Sequence, residues 1–205
     1  MIAIVDYGVG NLFSLKSSFA AIGVDTLVTG DKGELEKAEK IILPGVGAFP
    51  DAAKKLQEAG LDRFLVEEAA KGKPLMGICL GMQLLFEKSY EYGECAGLGL
   101  IRGSVRPIKE VIDPALKIPH IGWNALRFTD KKSDLFRFIH DGDHVYFVHS
   151  FYGADCTDSV IANCEYGGIL TAAVQKDNVY GCQFHPEKSG AVGLNILRAF
   201  CEKEG

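Results

Sequence analysis

The chain is 205 residues long, with 47% hydrophobic and 24% charged residues, which suits one globular domain spanning residues 1–205. Its net charge of −5 argues against a nucleic-acid or anionic-membrane partner, since either would favour a basic patch. No apolar run approaches the roughly 18 residues that a membrane-spanning helix needs.

The first half of the chain alternates short apolar runs with segments of helical period. The predicted strands are Ile2–Val5, Asp25–Val28, Lys40–Leu43 and Pro74–Ile78. The predicted helices are Asn11–Ile22, Phe49–Ala59, Leu61–Ala70 and one that opens at Leu80–Phe86, with Gly60 as a break before the third. This β-α-β-α order predicts an α/β fold with a mostly parallel central sheet and helices on both faces.

The second half has shorter and more polar strands. The candidates are Val105–Ile108, Ala125–Phe128 and Val145–Val148, followed by a hairpin of Leu170–Val174 and Val179–Phe184 that turns near Asp177-Asn178. Val192–Cys201 is predicted to close the chain as a helix. No internal repeat or flexible linker interrupts this order, which favours a single domain.

The six cysteines include no C-x-x-C pair. The first residues also lack the basic start and long apolar core of a signal peptide. We therefore expect reduced, mostly buried cysteines and a cytoplasmic protein.

The segment Gly77-Ile78-Cys79-Leu80-Gly81 joins a predicted strand to a predicted helix. It is a G-x-C-x-G version of the nucleophile elbow, a sharp turn that glycines permit. At a helix N-terminus the thiolate of Cys79 is favoured, and the Leu80 N–H is well placed to hold an oxyanion. The alternative is that Cys79 merely fills a crowded turn, and this segment alone does not decide between the two.

A cysteine nucleophile needs a base and a group that orients the base. His185 and Glu187, in Phe184-His185-Pro186-Glu187, would point the same way on an extended chain, and Pro186 keeps His185 extended. By the same alternation Cys182 faces away from His185 and is a poor rival nucleophile. The alternatives are a loop with two solvated neighbours, or a zinc site, which we disfavour because no second cysteine or histidine stands at ligand spacing.

The sequence contains no motif for binding a nucleotide cofactor. No G-x-x-x-x-G-K-[ST] segment is present, so ATP is not expected. Gly8-Val9-Gly10 is followed by Phe13 where a dinucleotide fingerprint requires its third glycine, so NAD is not expected either. We predict an enzyme without a cofactor or a metal.

Cys79 followed by His185-Pro186-Glu187 resembles the class I glutamine amidotransferases. Further matching motifs lie at residues 6–12, 43–49, 77–86, 119–124, 146–152 and 183–189. The resemblance implies a three-layer α/β sandwich that hydrolyses glutamine to glutamate and ammonia through a thioester. The G-W-N element at 122–124 and the start at 6–12 resemble the branch that serves histidine biosynthesis, not those serving anthranilate, GMP or pyridoxal phosphate synthesis.

The resemblance also implies roles for individual residues. Cys79 would be the nucleophile, His185 its base and Glu187 the orienting carboxylate. The oxyanion would be held by the Gly45-Val46-Gly47 loop together with Leu80. The glutamine substrate would be held by Gln83, Val148, Ser150 and Phe151.

In that branch the ammonia passes to a (β/α)₈-barrel cyclase subunit, in a heterodimer that makes imidazole glycerol phosphate and aminoimidazole carboxamide ribotide. The resemblance therefore implies a docking face, for which the candidates are Val9, Gly10, Asn11, Trp123, Asn124 and Lys188. Three other interpretations stay open at this point: a glutaminase subunit for another synthase, a stand-alone cysteine peptidase or γ-glutamyl hydrolase, and an inactive scaffold.

Overall fold

The computed structural model describes residues 1–131 and 133–202, and within them the chain forms fourteen strands and six α-helices. The strands are β1 (Ile2–Val5), β2 (Thr26–Thr29), β3 (Lys40–Leu43), β4 (Leu75–Ile78), β5 (Phe86–Ser89), β6 (Cys95–Ala96), β7 (Ile101–Pro107), β8 (His120–Ala125), β9 (Arg127–Phe128), β10 (His144–His149), β11 (Phe151–Ala154), β12 (Val160–Glu165), β13 (Ile169–Lys176) and β14 (Val179–Cys182). The helices are α1 (Leu12–Ala21), α2 (Lys32–Lys37), α3 (Phe49–Glu58), α4 (Leu61–Ala70), α5 (Leu80–Leu84) and α6 (Gly190–Glu202).

The main sheet has eight strands in the order β2-β1-β3-β4-β14-β13-β12-β9. The first five strands run parallel to one another, and the last three are joined by antiparallel pairing. All residues of β1, β3 and β4 are buried, as expected of strands covered on both faces. The predicted α/β fold with a mostly parallel core is confirmed.

Two apolar clusters cover the two faces of this sheet. Because successive side chains of a strand point to opposite faces, Ile4 belongs to one cluster and Val5 to the other. The first cluster contains Phe19 of α1 and Leu197 of α6, while the second contains residues of α2 to α5 such as Leu56. The chain therefore has helices on both sides of the sheet, in three layers.

Two smaller sheets extend these layers. One is the antiparallel β8–β10 ribbon, and the other has four strands in the order β11-β7-β5-β6. Phe147 of the ribbon packs in the first cluster, whereas Phe86 and Val105 of the four-stranded sheet pack in the second. These additions carry the backbone of residues 148–151 across to the carboxyl end of β4, where Cys79 lies.

Several predicted boundaries were wrong. The helix opening at Leu80 ends at Leu84, and Phe86 already begins β5, because the apolar run 84–86 fits either period. The strand predicted at 125–128 is divided between β8 and β9, and the one predicted at 105–108 is the end of β7. Helix α2 and strands β5, β6, β11 and β12 were not predicted, since the strands depend on distant pairing partners more than on local pattern.

The hairpin near Asp177-Asn178 is confirmed: β13 and β14 pair antiparallel, and Asp177 takes the left-handed backbone with φ of 52°. Gly60 also separates α3 from α4 as predicted, with φ of 62°. Within residues 1–131 and 133–202, no helix is both long enough and apolar enough to cross a membrane.

Candidate active site

Cys79 occupies the sharp turn between β4 and α5, with φ of 55° and ψ of −113°. A positive φ is uncommon for a residue other than glycine and marks backbone strain. The flanking glycines are required by space: a Cβ on Gly77 would lie 2.5 Å from the Gly81 carbonyl oxygen, and a Cβ on Gly81 would collide with the Leu43 carbonyl. The predicted strained turn is confirmed, and the strain falls on Cys79 itself.

The sulfur of Cys79 lies among polar atoms from two distant segments, one at Val148 and the other at residues 182–185. Its Sγ lies 4.0 Å from the Val148 carbonyl oxygen and 3.8 Å from Nε2 of Gln183. His185 lines the same cavity as Cys79, and the interaction of its imidazole with the thiol helps to raise the pKa of His185. The backbone N–H of Cys79 donates to the Cys182 carbonyl at 2.7 Å, which fixes the turn against β14.

His185 and Glu187 form a buried pair next to this sulfur. Nδ1 of His185 lies 2.8 Å from Oε1 of Glu187, and the two side chains are 4% and 2% exposed. Burial alone would lower the pKa of His185, but hydrogen bonds to Cys79 and Glu187 outweigh it and raise the pKa to about 9. The imidazole is therefore cationic near neutral pH and can act as a proton donor beside the sulfur.

The local backbone reaches this pair by a different route from the predicted one. His185 is extended, with φ of −100° and ψ of 98°, but Pro186–Lys188 forms a turn of 3₁₀-helix in place of a continued strand. The expected contact is present, and the explanation by strand alternation was wrong. Ser189 holds the turn, since its Oγ donates to the His185 carbonyl at 2.6 Å and accepts from the Tyr146 N–H at 3.0 Å.

Cys182 is completely buried, and this burial raises the pKa of its thiol far above the usual range. Burial likewise raises the pKa of Cys156 to about 11 and that of Cys164 to about 12. Neutral, buried thiols are inert. All six cysteines are free, and in the described part of the chain Cys79 is the one that lines a cavity together with His185.

A cavity of about 460 Å³ opens over Cys79 and His185. Seven of the residues predicted to hold the oxyanion or the substrate line it: Val46, Gly47, Leu80, Gln83, Val148, Ser150 and Phe151. Gly45 lies behind them, where a Cβ would come within 2.7 Å of the Gly81 nitrogen. The structure thus brings the predicted oxyanion loop against the first residues of α5, whose N–H groups have no intrahelical acceptor.

Tyr7 holds this oxyanion loop from below and was not predicted. Its hydroxyl donates to the Pro44 carbonyl at 2.8 Å, and burial raises the pKa of the phenol, which therefore stays protonated as a donor. Gly10 packs on the same proline, because a Cβ there would lie 2.9 Å from the Pro44 Cβ. The 6–12 motif matched the family, but its spacing gave no indication of this contact.

Glu91, Tyr92 and Gln183 are further residues at the site that the sequence did not single out. Glu91 lines the cavity, is 8% exposed, and accepts from the Phe49 N–H at 2.8 Å. Burial raises the pKa of Glu91, and that hydrogen bond opposes the rise. Gln183 is the first residue of the matched motif at 183–189. Its position two residues before His185 was the one feature of the sequence that could have indicated a place at the site.

The candidate docking residues divide into two groups. Trp123 is 53% exposed, and its ring and that of Tyr146 pack edge to face with their centroids 6.0 Å apart; Nζ of Lys188 lies 5.9 Å from the centroid of the Tyr146 ring. Lys188 also lines the cavity, so this group lies at the cavity mouth. Asn124 instead binds inward, with Oδ1 at 2.7 Å from Nε2 of His120.

The other group, Val9 to Asn11, has contacts within the chain. Asn11 caps α1, with its Oδ1 accepting from the Ser14 N–H at 3.3 Å. Gly10 has φ of 124° and packs against Pro44, and Val9 is partly buried against the second apolar cluster. This group therefore lies beside the oxyanion loop.

Comparison with known proteins agrees with this geometry. The family model "Glutamine amidotransferase class-I" matches residues 3–203, and the chain therefore belongs to that family. Among its relatives is "Imidazole glycerol phosphate synthase subunit HisH" of Lactococcus lactis, 48% identical over 203 residues that cover 98% of each chain. A subunit of the same name from Bacillus cereus is 49% identical, and the match covers 98% of this chain and 93% of that subunit. The subunit from Caldanaerobacter subterraneus is 47% identical, and the match covers 98% of both chains.

Solved structures show the same fold at lower sequence identity. A crystal structure of a glutamine amidotransferase superposes with a TM-score of 0.76 at 20% identity, covering 98% of both chains. The structure of PurLQS from Thermotoga maritima gives a TM-score of 0.74 at 20% identity, covering 98% of this chain and 96% of that one. The predicted class I amidotransferase fold is thus confirmed.

Proposed function

We propose that this chain is the glutaminase subunit of an imidazole glycerol phosphate synthase, hydrolysing L-glutamine to glutamate and ammonia. One observation carries the proposal: Cys79 and His185 line one cavity, and His185 is hydrogen-bonded to the buried Glu187 behind it. They lie in a chain 47% to 49% identical to HisH subunits over nearly its full length.

In the first half of the reaction the Cys79 thiolate attacks the side-chain amide carbon of glutamine. The carbonyl oxygen becomes an oxyanion, which N–H groups of Leu80 and the Gly45–Gly47 loop stabilise. The His185 imidazolium then gives its proton to the leaving nitrogen, the C–N bond breaks, and ammonia and a thioester remain. His185 is neutral at the end of this step.

In the second half neutral His185 removes a proton from water, and the resulting hydroxide attacks the thioester carbon. The C–S bond breaks, glutamate leaves, and the thiolate–imidazolium pair is restored. Glu187 keeps the His185 Nδ1 proton in place through both steps and stabilises the cation, as the third member of a triad does.

The lining of the cavity suits an amino acid with an ammonium group and an amide. Glu91 is a buried acidic residue in the cavity lining, and we propose that its carboxyl meets the substrate's α-ammonium group. Gln83 and the backbone of Val148, Ser150 and Phe151 supply neutral hydrogen-bonding groups to the same cavity. A charged partner and a polar wall together distinguish glutamine from a peptide backbone, which has no free α-ammonium.

Free ammonia is largely protonated at neutral pH and lost to solvent, so delivery to a docked acceptor makes chemical sense. We propose that the acceptor is a (β/α)₈-barrel cyclase that forms a heterodimer with this chain, docking at the surface where Trp123 and Lys188 flank Tyr146. An exposed Trp is a common interface anchor. The free cysteines suit the reducing cytoplasm, in which we propose that the subunit acts.

The test is a glutaminase assay with and without the cyclase and its nucleotide ligand. Cys79→Ala should abolish glutamate formation while ammonia-dependent cyclisation by the complex persists, and Cys95→Ala, a half-buried cysteine away from the cavity, serves as the matched control. Glutamine hydrolysis by the Cys79→Ala chain would refute the nucleophile. Hydrolysis of γ-glutamyl peptides without stimulation by any cyclase would favour a stand-alone γ-glutamyl hydrolase.

A further inference from the structure

Two buried histidines beside the active site have no part in the thioester chemistry. His149 and His120 are 5% and 0% exposed, and they face each other across the β8–β10 ribbon as paired residues. Nε2 of His149 lies 3.0 Å from Nδ1 of His120. Buried imidazoles are costly unless each ring nitrogen has a partner, so the partners of this pair are informative.

The inner partner of the pair is the carbonyl oxygen of Phe151. It lies 2.8 Å from Nδ1 of His149 and also accepts from Nε2 of Gln83 at 3.1 Å. Because a carbonyl can only accept, it fixes Nδ1 of His149 as protonated and turns the Gln83 NH₂ group towards itself. One backbone oxygen on the cavity wall therefore orients two side chains.

The orientation continues from Gln83 to the nucleophile. The second proton of the Gln83 amide goes to Oε1 of Gln183 at 3.0 Å, so Nε2 of Gln183 must face the Cys79 sulfur, 3.8 Å away. An N–H directed at the sulfur stabilises its thiolate. Both protons of Gln83 are thereby used, and Oε1 is the polar atom that Gln83 keeps for a substrate N–H in the cavity.

The outer partner of the pair is Asn124, which lies 2.7 Å from Nε2 of His120. If its Oδ1 faces His120 while its NH₂ binds the Glu165 carbonyl at 2.9 Å, the contacts need one proton more than two neutral imidazoles carry. Turning the NH₂ to His120 removes the excess proton and lets the neutral pair keep every inner contact, but it sets the Asn124 Oδ1 against the Glu165 carbonyl oxygen, so the outer hydrogen bond is lost. Burial lowers the pKa of His120, and it lowers that of His149 to about 4, which favours the neutral pair.

We propose that His149 is a positioning residue for glutamine hydrolysis: braced by His120, it holds the Phe151 carbonyl, and through that carbonyl it sets the direction of the Gln83 and Gln183 amides. The inference rests on the proposed glutaminase function, because it concerns how glutamine is held. His120 belongs to β8, the strand that also carries Trp123, so the relay ties the cavity wall to the docking surface.

The test compares variants of the full chain, assembled with the cyclase, by kcat and KM for glutamine. His149→Phe removes both contacts, and we expect KM to rise about tenfold with kcat within about threefold, because Gln83 still binds the carbonyl. His149→Asn keeps a donor for Phe151 and loses His120, so KM should rise only about threefold. His120→Phe keeps the ring stacking on Phe147 and Tyr166 and removes the brace, with a similar rise.

The decisive comparison is the double variant His149→Asn with His120→Phe. Since the brace is already absent in His149→Asn, the double variant should match it, whereas two independent packing defects would add. His140→Asn is the matched control, because that side chain is 91% exposed and should leave KM unchanged. If His149→Phe does not fold, His149→Asn, His120→Phe and their double variant carry the same test.

A folded His149→Phe chain with wild-type KM would overturn the proposal, and so would additive effects in the double variant. Wild-type chain that fails to hydrolyse glutamine at all would instead refute the proposed function. The two failures are therefore distinguishable, because the relay is judged only from ratios between variants and active wild type.

Discussion

Replacement of Glu187 by glutamine is the sharpest test of the active-site electrostatics. The change keeps the size of the side chain and removes its negative charge. In the wild-type chain the Glu187 carboxylate lies 2.8 Å from Nδ1 of His185, and the Glu187 side chain is 2% exposed. A hydrogen bond to a charged group contributes roughly 1.5–3 kcal/mol, so its loss corresponds to about 10- to 150-fold in rate. We expect kcat for glutamine hydrolysis to fall within that range.

The second oxygen of Glu187 makes the substitution harder to accommodate. Oε2 is buried and has no hydrogen-bond partner among the described residues. If the new amide keeps its oxygen on the imidazole, its NH₂ takes that unpartnered place, at a cost of roughly 1–3 kcal/mol in the free energy of unfolding. If the NH₂ turns to His185 instead, Nδ1 must become an acceptor and the tautomer is wrong for catalysis.

The pH dependence of stability follows from the same pair. The pKa of His185 is raised from its ordinary value of 6.5 to about 9 in the folded chain, so its contribution is complete below about pH 6.5 and is lost as the pH rises through about 9. In Glu187→Gln the folded pKa is lower, so this loss should begin at lower pH. Urea unfolding across this range measures it.

The assay for kcat is the release of glutamate by the chain with its cyclase, from about pH 6 to about pH 10. Glu94→Gln, at a side chain that is 62% exposed, is the matched control and should leave both the rate and the pH profile unchanged. The reasoning would be refuted by a Glu187→Gln enzyme with kcat within about threefold of wild type and an unshifted basic limb.

Two further substitutions test the oxyanion loop. In Gly45→Ala the new Cβ would lie 2.7 Å from the Gly81 nitrogen and 2.9 Å from the Leu80 Cβ, so the loop must move away from the nucleophile. We expect kcat to fall at least about tenfold while the circular dichroism spectrum stays unchanged. Full activity of this variant would contradict the close approach of the loop to α5. Tyr7→Phe removes the hydrogen bond to the Pro44 carbonyl, and should lower the free energy of unfolding by roughly 1 kcal/mol and kcat a few-fold. Unchanged urea midpoint and kcat in Tyr7→Phe would exclude a role for Tyr7 beneath the loop.

The parallel half of the fold was predictable because its signals are local. Strands β1, β3 and β4 are short, apolar and buried on both faces, and helices alternate with them at readable period. The turn at Cys79 was predictable for the same reason, since two glycines flank it. The space that these glycines leave is filled by the backbone of β3 and α5. This is a tertiary contact, and a local sequence pattern cannot predict it.

The walls of the cavity were less predictable because they come from segments without a strong period. Glu91 lies in a polar turn. Its burial depends on the N-terminus of α3, where its carboxylate accepts a hydrogen bond from the Phe49 N–H. Tyr7 looks like one more apolar residue after β1 until its hydroxyl is seen on Pro44. Family resemblance located the segments, and the structure was needed to show which atoms meet.

Strand β10 illustrates the limit most clearly. Its alternation is correct in the sequence and in the structure, where Val145, Phe147 and His149 are buried while Tyr146 and Val148 are half-buried. Pairing with β8 then sets Tyr146 opposite Trp123 and His149 opposite His120. A slip of one residue would reverse the two faces, burying Tyr146 and breaking the His149–His120 contact. The cavity wall and the surface beside it therefore depend on one register, which is specified by β8 and the core behind it and cannot be read from residues 145–148 alone.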